Sequence, residues 1–152
     1  MIITKINNSY IVKLLGEKIN IYDTSELEDI TKKIILKINK NYKIKNCIHL
    51  EFYINENYGT IIKLTDYDSL FTNKKEKTVK ITIHTDTTFL YEINYFNIDK
   101  NKIPKSKIYY YKNKFYLEIN SEISLKDYLN ILESSEIIYE NTEVILDKGI
   151  KI

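Results

Sequence analysis

The hydrophobic and polar positions of the first half of the chain predict a hairpin, a helix and a second hairpin. Apolar residues interrupted by an Asn-Asn turn are typical of two short strands over residues 2–15. Apolar residues then recur at spacings of 3, 4 and 4, behind an S-x-x-E capping box that begins at Ser25. This pattern predicts a helix over about residues 25–40. The β-rich runs at 47–54 and 58–65 are joined by a polar NEN turn and predict the second hairpin.

The second half of the chain shows a similar order of patterns. Apolar and polar residues alternate again after a charged stretch. A hairpin with a KNK turn comes later, and a capped amphipathic segment follows it. The segment at 86–96 fits either a strand or a helix, and we favour the helix because its apolar residues recur at helical spacing. The other predicted elements are a strand at 78–84, a hairpin of 108–111 and 115–119, a short helix capped by Ser124-x-x-Asp127 that uses Leu125, Tyr128, Leu129 and Leu132, and two last strands at 137–139 and 143–146.

These patterns predict an α+β fold of two similar ββαββ-like units, with antiparallel sheets and helices packed on one face. The stretch DYDSLFTNKKEK loses the periodicity and ends in charges, as connections between units often do. We therefore expect a first unit at residues 1–66, a linker at 67–77 and a second unit at 78–152. Whether the two units form one domain or two stays open.

Composition narrows the class of protein. The chain has 152 residues, of which 43% are hydrophobic and 29% charged, so it can bury a core and is not of the disordered type. A single cysteine rules out an internal disulfide scaffold. No long apolar run and no secretory pattern is present, so we expect neither a membrane span nor a signal peptide and place the protein in the cytoplasm.

A strong compositional bias affects how lysines and tyrosines are interpreted. All 23 basic residues are lysines, and 14 tyrosines accompany them, which is typical of an A/T-rich genome. The absence of arginine weakens the case for nucleic-acid binding, because arginine makes the usual bidentate phosphate and guanine contacts. Aromatics beside lysines, as in the Tyr109–Tyr111 strand, can nevertheless stack unpaired bases. Binding of RNA or single-stranded nucleic acid is therefore the alternative function.

Catalytic and cofactor motifs are absent from the sequence. No glycine-rich phosphate loop, nucleophile elbow or H-E-x-x-H motif occurs among only three glycines and two histidines. Cys47 and His49 lie two apart on a predicted strand, and His84 and Asp86 form a similar pair. If the pairs met, they would supply a thiolate and its base or four metal ligands, but nothing requires that meeting and we favour core packing. We expect no enzyme, no cofactor and no metal site.

The distribution of charge points to a protein partner. Residues 117–147 carry eight acidic residues against one lysine, a stretch that repels nucleic acid and attracts a basic protein surface. Tyrosines of the neighbouring hairpin are suited to anchor such a partner. The alternative is that the acids only solvate a helix and the tyrosines face the core. The expected partner-binding residues are Tyr109, Tyr111, Tyr116, Glu122, Asp127 and Glu133.

The segment KIYYYKNKFYLEINSEISLKDYLNILESSEIIYENTEVILDKGIKI resembles the C-terminal domain of MecA-type adaptors, which has an aromatic hairpin, an acidic capped helix and a last pair of strands. The upstream FLYEI stretch and the segments MIITKINNSYIVKLL and YGTIIKL are similar to other parts of that family. The resemblance implies a non-enzymatic adaptor or regulatory module, whose N-terminal unit holds a client and whose C-terminal unit docks on a ClpC-type AAA+ unfoldase. A homodimer, or a structural or phage-borne role, stays open.

Overall fold

A computed structural model describes residues 2–17, 19–42, 47–67, 78–94, 106–120 and 123–152. The described residues form two five-stranded sheets and three helices, which confirms the α+β fold. The chain divides into two compact units, Met1–Thr87 and Thr88–Ile152. The strands are β1 (Ile2–Ile6), β2 (Ser9–Leu15), β3 (Cys47–Asn55), β4 (Gly59–Tyr67), β5 (Thr78–His84), β6 (Leu90–Ile93), β7 (Lys107–Tyr111), β8 (Lys114–Glu118), β9 (Glu136–Ile138) and β10 (Ile150–Lys151), and the helices are α1 (Thr24–Asn39), α2 (Leu125–Glu133) and α3 (Thr142–Lys148).

The first unit contains a sheet in the order β1-β2-β4-β3-β5. Both hairpins expected from the sequence are present, as the antiparallel pairs β1/β2 and β3/β4. Strand β5 adds to β3 in parallel. Asn7 has a φ of 54°, and asparagine tolerates this left-handed conformation in the first turn better than most residues do. The sheet is thus antiparallel except at its β3/β5 edge.

Helix α1 covers one face of this sheet. Its N-cap is Asp23, whose Oδ1 accepts hydrogen bonds from the backbone nitrogens of Ser25 and Glu26 at 3.0 and 3.3 Å, so the cap lies two residues before the expected S-x-x-E box. Ile34 and Ile38 pack against alternate residues of the strands. Together these helix and strand side chains form one hydrophobic core. Each such fully buried aliphatic side chain stabilises the fold by roughly 1.5–3 kcal/mol.

The boundary between the two units lies later than the sequence suggested. Residues 78–84 were expected to open the second unit, but β5 pairs with β3 and belongs to the first sheet. Thr87 is also bound to the first sheet, because its backbone nitrogen donates a hydrogen bond to the Ile54 carbonyl oxygen at 2.8 Å. Tyr67 at the end of β4 and Thr78 at the start of β5 both pair with Cys47, so the charged stretch connects two strands of one sheet and not two units. Of the expected linker, residues 68–77 lie outside the described residues.

The second unit contains an antiparallel sheet in the order β10-β7-β8-β6-β9. Strands β7 and β8 form the expected hairpin, and Lys112 and Asn113 have φ values of 46° and 63° at its turn. Positive φ at both central residues is typical of a type I′ turn, which matches the twist of the flanking strands. Helix α2 begins as predicted, because the Ser124 side chain accepts a hydrogen bond from the Asp127 backbone nitrogen.

Two elements of the second unit differ from the sequence prediction. Residues 90–93 form strand β6 rather than a helix, and β6 lies between β8 and β9. A strand buried on both faces has no clear alternation, so its apolar run is easily taken for part of a helix. Residues 143–146 belong to helix α3 rather than to a strand, with Glu143 in its first turn and Lys148 in its last, as the helix dipole favours. The chain then adds β10 to the edge of β7.

The helices of the second unit contact opposite faces of its sheet, whereas we expected them on one face. Tyr128 of α2 meets Tyr91, with 2.9 Å between the two hydroxyl oxygens, and Ile145 of α3 packs in the cluster of Leu90. Leu90 and Tyr91 are consecutive strand residues and so point to opposite faces. The second unit is therefore not the ββαββ repeat of the first. In the described part of the chain, no helix combines the length and the apolar run that crossing a membrane requires.

Candidate functional site

Two of the tyrosines expected to bind a partner lie in the core of the second unit. Tyr109 and Tyr116 are register partners on β7 and β8, and each is 8% exposed in a cluster with Leu90 and Ile145. Burial, followed by the negative charge of Glu118, raises the pKa of Tyr109. Burial is also the largest cause that raises the pKa of Tyr116. These rings leave little surface for a partner.

The other expected residues have varied positions. Tyr111 is half-buried against the same cluster, and the Lys112 ammonium lies 5.3 Å from the centre of its ring. Asp127 belongs to the cap of α2, because its Oδ2 accepts a hydrogen bond from the Ser124 hydroxyl at 2.8 Å. Glu122 lies outside the described residues. Glu133 is exposed at the end of α2, and the partner role of all six residues stays a prediction.

An open groove of about 610 Å³ lies where α2 ends, and Glu133 is part of its wall. Three pieces of the second unit form it: the end of β6, the start of β8, and the junction of α2 with β9. We call it the acidic groove. Its lining residues are Glu92, Ile93, Asn94, Asn113, Lys114, Phe115, Glu133, Ser134, Ser135 and Glu136.

The charges of the acidic groove are unbalanced, with three glutamates against one lysine. Glu92 and Glu136 lie directly opposite each other on β6 and β9, an arrangement that destabilises a strand pair unless a cation is shared. Lys114 supplies this cation, with its Nζ 3.0 Å from Glu92 Oε1. The hydrogen bond to Glu92 is the largest cause that raises the pKa of Lys114, and the charge of Glu136 acts in the same direction.

An apolar stripe on α2 leads to this groove. Leu125 and Leu129 are 73% and 48% exposed, although the sequence pattern had placed both on the buried side of the helix. Tyr128 and Ile131 are buried instead. Residues four apart share a helix face, so Leu125, Leu129 and Glu133 form one line, which we call the α2 stripe. No pattern in the sequence indicates the groove itself, because its residues come from separate strands and from the end of α2.

A polar cluster lies on the first unit, where β3 meets β5. The Glu51 carboxylate accepts a hydrogen bond from the Tyr53 hydroxyl at 2.9 Å and another from His84 Nε2 at 3.2 Å. His49 Nδ1 is 3.9 Å from the other carboxylate oxygen, and His49 Nε2 shares a 2.7 Å hydrogen bond with the Thr82 hydroxyl. The two histidines that the sequence left unplaced therefore meet at one carboxylate.

This cluster links β5 to the neighbouring strand β3. The rings of Tyr53 and His84 are stacked, with centroids 4.5 Å apart. Burial raises the pKa of Glu51, but hydrogen bonds from Tyr53 and His84 and the charges of His49 and Lys63 lower it further, so that the net pKa lies below its ordinary value. The ionised carboxylate is thus the form that the fold stabilises.

The remaining candidate residues for metal or nucleophile chemistry are Cys47 and Asp86. The Cys47 side chain lies outside the description, and Asp86 is exposed in a turn with a φ of 58°. Across the described ranges, no group of three or more histidine, cysteine, aspartate or glutamate residues is arranged to hold a metal ion. What the cluster can do is hold two parallel strands through polar contacts.

Comparison of the chain with protein-family models, with curated proteins and with solved structures finds no match. The end of α2, at Glu133, belongs to both the groove and the stripe, whereas the groups of the polar cluster are bound to one another.

Proposed function

We propose that this protein is a non-enzymatic adaptor or regulatory module whose second unit binds a protein partner along the α2 stripe and the acidic groove. The observation that carries the proposal is the exposure of Leu125 and Leu129 on one helix face beside an open groove. Exposed leucines are common singly, but an apolar line that ends in a concave, charged wall is typical of an interaction surface.

The energetics favour leucine anchors over the tyrosines. Fully burying one leucine contributes roughly 1.5–3 kcal/mol, so two such anchors supply a substantial part of a micromolar interaction. The apolar surface of Tyr109 and Tyr116 is already buried in the core of the unit. The partner surface we propose therefore keeps the expected helix and Glu133 but replaces the tyrosine anchors with Leu125 and Leu129.

The resemblance to MecA-type adaptors adds a candidate division of labour in the cytoplasm. The first unit would hold a client, and the second would dock on a ClpC-type AAA+ unfoldase. Two compact units support such a division. Helix α3 stands where the resemblance expects a last strand. Because the second unit departs from the family pattern there, its binding to the unfoldase needs a direct test. No observation on the described residues favours RNA binding, since the acidic groove repels phosphate and two of the tyrosines are buried.

A comparison of two variants tests the proposal. Leu125→Ser combined with Leu129→Ser removes the apolar stripe, whereas Leu36→Ser removes a leucine that is 65% exposed on α1. Both variants should fold, because exposed substitutions usually change stability by about 0.5 kcal/mol or less. Purified ClpC-type unfoldase, and proteins captured from a nuclease-treated cytosolic extract, are measured for binding to each variant and to the wild type.

We expect a partner to bind the wild type and the Leu36→Ser variant equally, and the stripe variant at least tenfold more weakly, as loss of about 1.4 kcal/mol or more of apolar burial requires. Binding that survives in the stripe variant would place the partner elsewhere. Binding that nuclease abolishes, or that weakens steeply with salt, would favour the nucleic-acid alternative.

A further inference from the structure

We infer that the α2 stripe packs against the α2 stripe of a second copy of this chain, with the two helices antiparallel, so that the free protein forms a weak homodimer. The inference goes beyond the proposed function but uses the same surface, so a second copy and a partner compete for the stripe. Only this competition rests on the proposed function.

The charges that flank the stripe are self-complementary. Lys126 and Glu133 are both exposed and lie seven residues apart, so they share one face of the helix. If a two-fold axis passes between Leu129 and Asn130, Lys126 of each copy lies opposite Glu133 of the other. A parallel pair would instead place each charge opposite its own kind. The order of the charges therefore selects the antiparallel pair.

Both charges are placed against the preference of an isolated helix. Lys126 lies in the first turn of α2 and Glu133 is its last residue, whereas the helix dipole favours acidic residues at the start and basic residues at the end. Neither forms an ion pair with another described residue. In the antiparallel pair, each meets an opposite charge and the favourable end of the neighbouring helix. Pairing thus relieves an electrostatic conflict within the single chain.

Apolar surface on this side of the second unit is not confined to α2. The helix lies on the sheet face of Tyr91, because the hydroxyl oxygens of Tyr128 and Tyr91 are 2.9 Å apart. Cross-strand partners continue this face to the edge of the sheet, and they are Ile93, Phe115, Tyr110 and Ile150. Ile150 is 67% exposed. The face that carries the stripe is therefore the more apolar exposed side on which a second copy can dock.

The size of α2 sets the expected strength of the dimer. A helix of nine residues is only about 14 Å long, so a pair of such helices buries less than a standard interface does. We expect a dissociation constant on the order of 10–100 µM. Because the same surface is used by both copies, the contact closes at two chains and does not propagate into a filament.

Sedimentation equilibrium of the full chain, over concentrations that bracket this value, tests the inference through a charge exchange. We expect Lys126→Glu, and separately Glu133→Lys, to weaken dimerisation about five- to thirtyfold, because each places like charges opposite each other twice. Combining both substitutions in one chain restores the opposite charges and should return the dissociation constant to within about twofold of the wild type. Single variants that dimerise like the wild type, or a double variant that does not recover, would overturn the inference.

Two comparisons separate pairing from net charge and from folding. The two single variants change the net charge in opposite directions, so a general charge effect would move their affinities apart. Lys148→Glu makes the same change as Lys126→Glu on α3, whose residue Ile145 packs on the other face of the sheet, and should leave dimerisation nearly unchanged. Urea unfolding verifies the fold, and both single variants should be at least as stable as the wild type because their charges suit the dipole of α2.

The stripe variant distinguishes this inference from the proposed function. Leu125→Ser with Leu129→Ser should be monomeric, whereas Leu36→Ser should dimerise like the wild type. A wild-type chain that stays monomeric, or a stripe variant that still dimerises, overturns the homodimer; the proposed function then stands if a partner still requires the stripe. A dimer with the expected charge dependence, together with partner binding that survives in the stripe variant, supports the homodimer and overturns the proposed function.

Discussion

At the scale of single residues, Glu51 shows how a tertiary environment changes a side chain that looked unremarkable in the sequence. It lies in the middle of β3. Its neighbours Tyr53 and His49 are on the same strand, and His84 is on the adjacent strand β5. Burial would favour the neutral acid, but the donors and positive charges around it prevail, and its pKa lies below the ordinary value near 4.5. The contribution of Glu51 to stability must therefore depend on pH.

The sign of this dependence follows from the lowered pKa. A carboxylate with a depressed pKa in the folded state stabilises the fold fully above its ordinary pKa, and this contribution is lost as the pH falls through the folded pKa. We expect Glu51→Gln to lower the free energy of unfolding near neutral pH and to have a much smaller effect near pH 3. Urea unfolding followed by circular dichroism at both pH values measures the difference.

Glu56→Gln is the matched control for this experiment, because Glu56 is exposed in the turn between β3 and β4. It removes the same formal charge without the hydrogen bonds. If both glutamine variants showed the same change with pH, the effect would arise from overall charge and the local account of Glu51 would be wrong.

The tyrosines illustrate a limit of residue-level prediction. Tyr109, Tyr110 and Tyr111 are identical in chemistry, and alternation along a strand predicts that the first and third share a face. Which face is the core depends on what packs there, and α3 supplies Ile145 to the side of Tyr109. Because α3 was expected to be a strand, the sequence could not identify the buried tyrosines.

At the scale of elements, the first unit was predicted well, and its hairpins depend on particular turn residues. Gly59 begins β4 with a φ of 115°, and a Cβ atom added there would clash with the Leu14 carbonyl oxygen. Gly16 directly follows the partner strand β2 and has a φ of 77°, and a Cβ added there would meet no atom within 4 Å. Both glycines need a backbone that other residues rarely adopt, but only Gly59 also meets a backbone clash.

This difference makes a matched pair of substitutions informative. We expect Gly16→Ala to destabilise the first unit by about 1 kcal/mol through the positive φ alone. Gly59→Ala should cost clearly more, because the clash is with backbone that cannot rotate away and β2 must separate from β4. Thermal unfolding of the two variants measures the ranking. Equal destabilisation would mean that the close approach of β2 and β4 relaxes freely.

At the scale of the whole molecule, the position of the unit boundary has a direct consequence for truncation. Residues 1–87 include β5, whereas residues 1–66 end at the boundary expected from the sequence. Leu50 and Phe52 on β3 are fully buried, and β5 is the strand that covers the backbone edge of β3. We expect the fragment of residues 1–87 to unfold cooperatively and the fragment of residues 1–66 to be poorly soluble, because an exposed apolar edge strand promotes association.

Expression of both fragments, followed by circular dichroism and size-exclusion chromatography, tests this expectation. A third fragment, residues 1–77, serves as the control for length, because it adds the connecting residues without β5. A monomeric, cooperatively folded fragment of residues 1–66 would show that β5 is dispensable and that the sequence-based boundary is a workable one.

Local patterns determined much of the chain by themselves. The hairpins at β1/β2, β3/β4 and β7/β8, helix α1 and the Ser124 cap of α2 depend on turn residues, alternation and capping within a few positions, so the sequence was sufficient. What only the tertiary structure decided are the elements and sites that depend on distant partners. Residues 90–93 are a strand because β8 and β9 flank them, and Glu51 and the acidic groove each join side chains from different strands. A single sequence records neighbours along the chain, whereas register and burial are set by free energies shared between segments far apart in it.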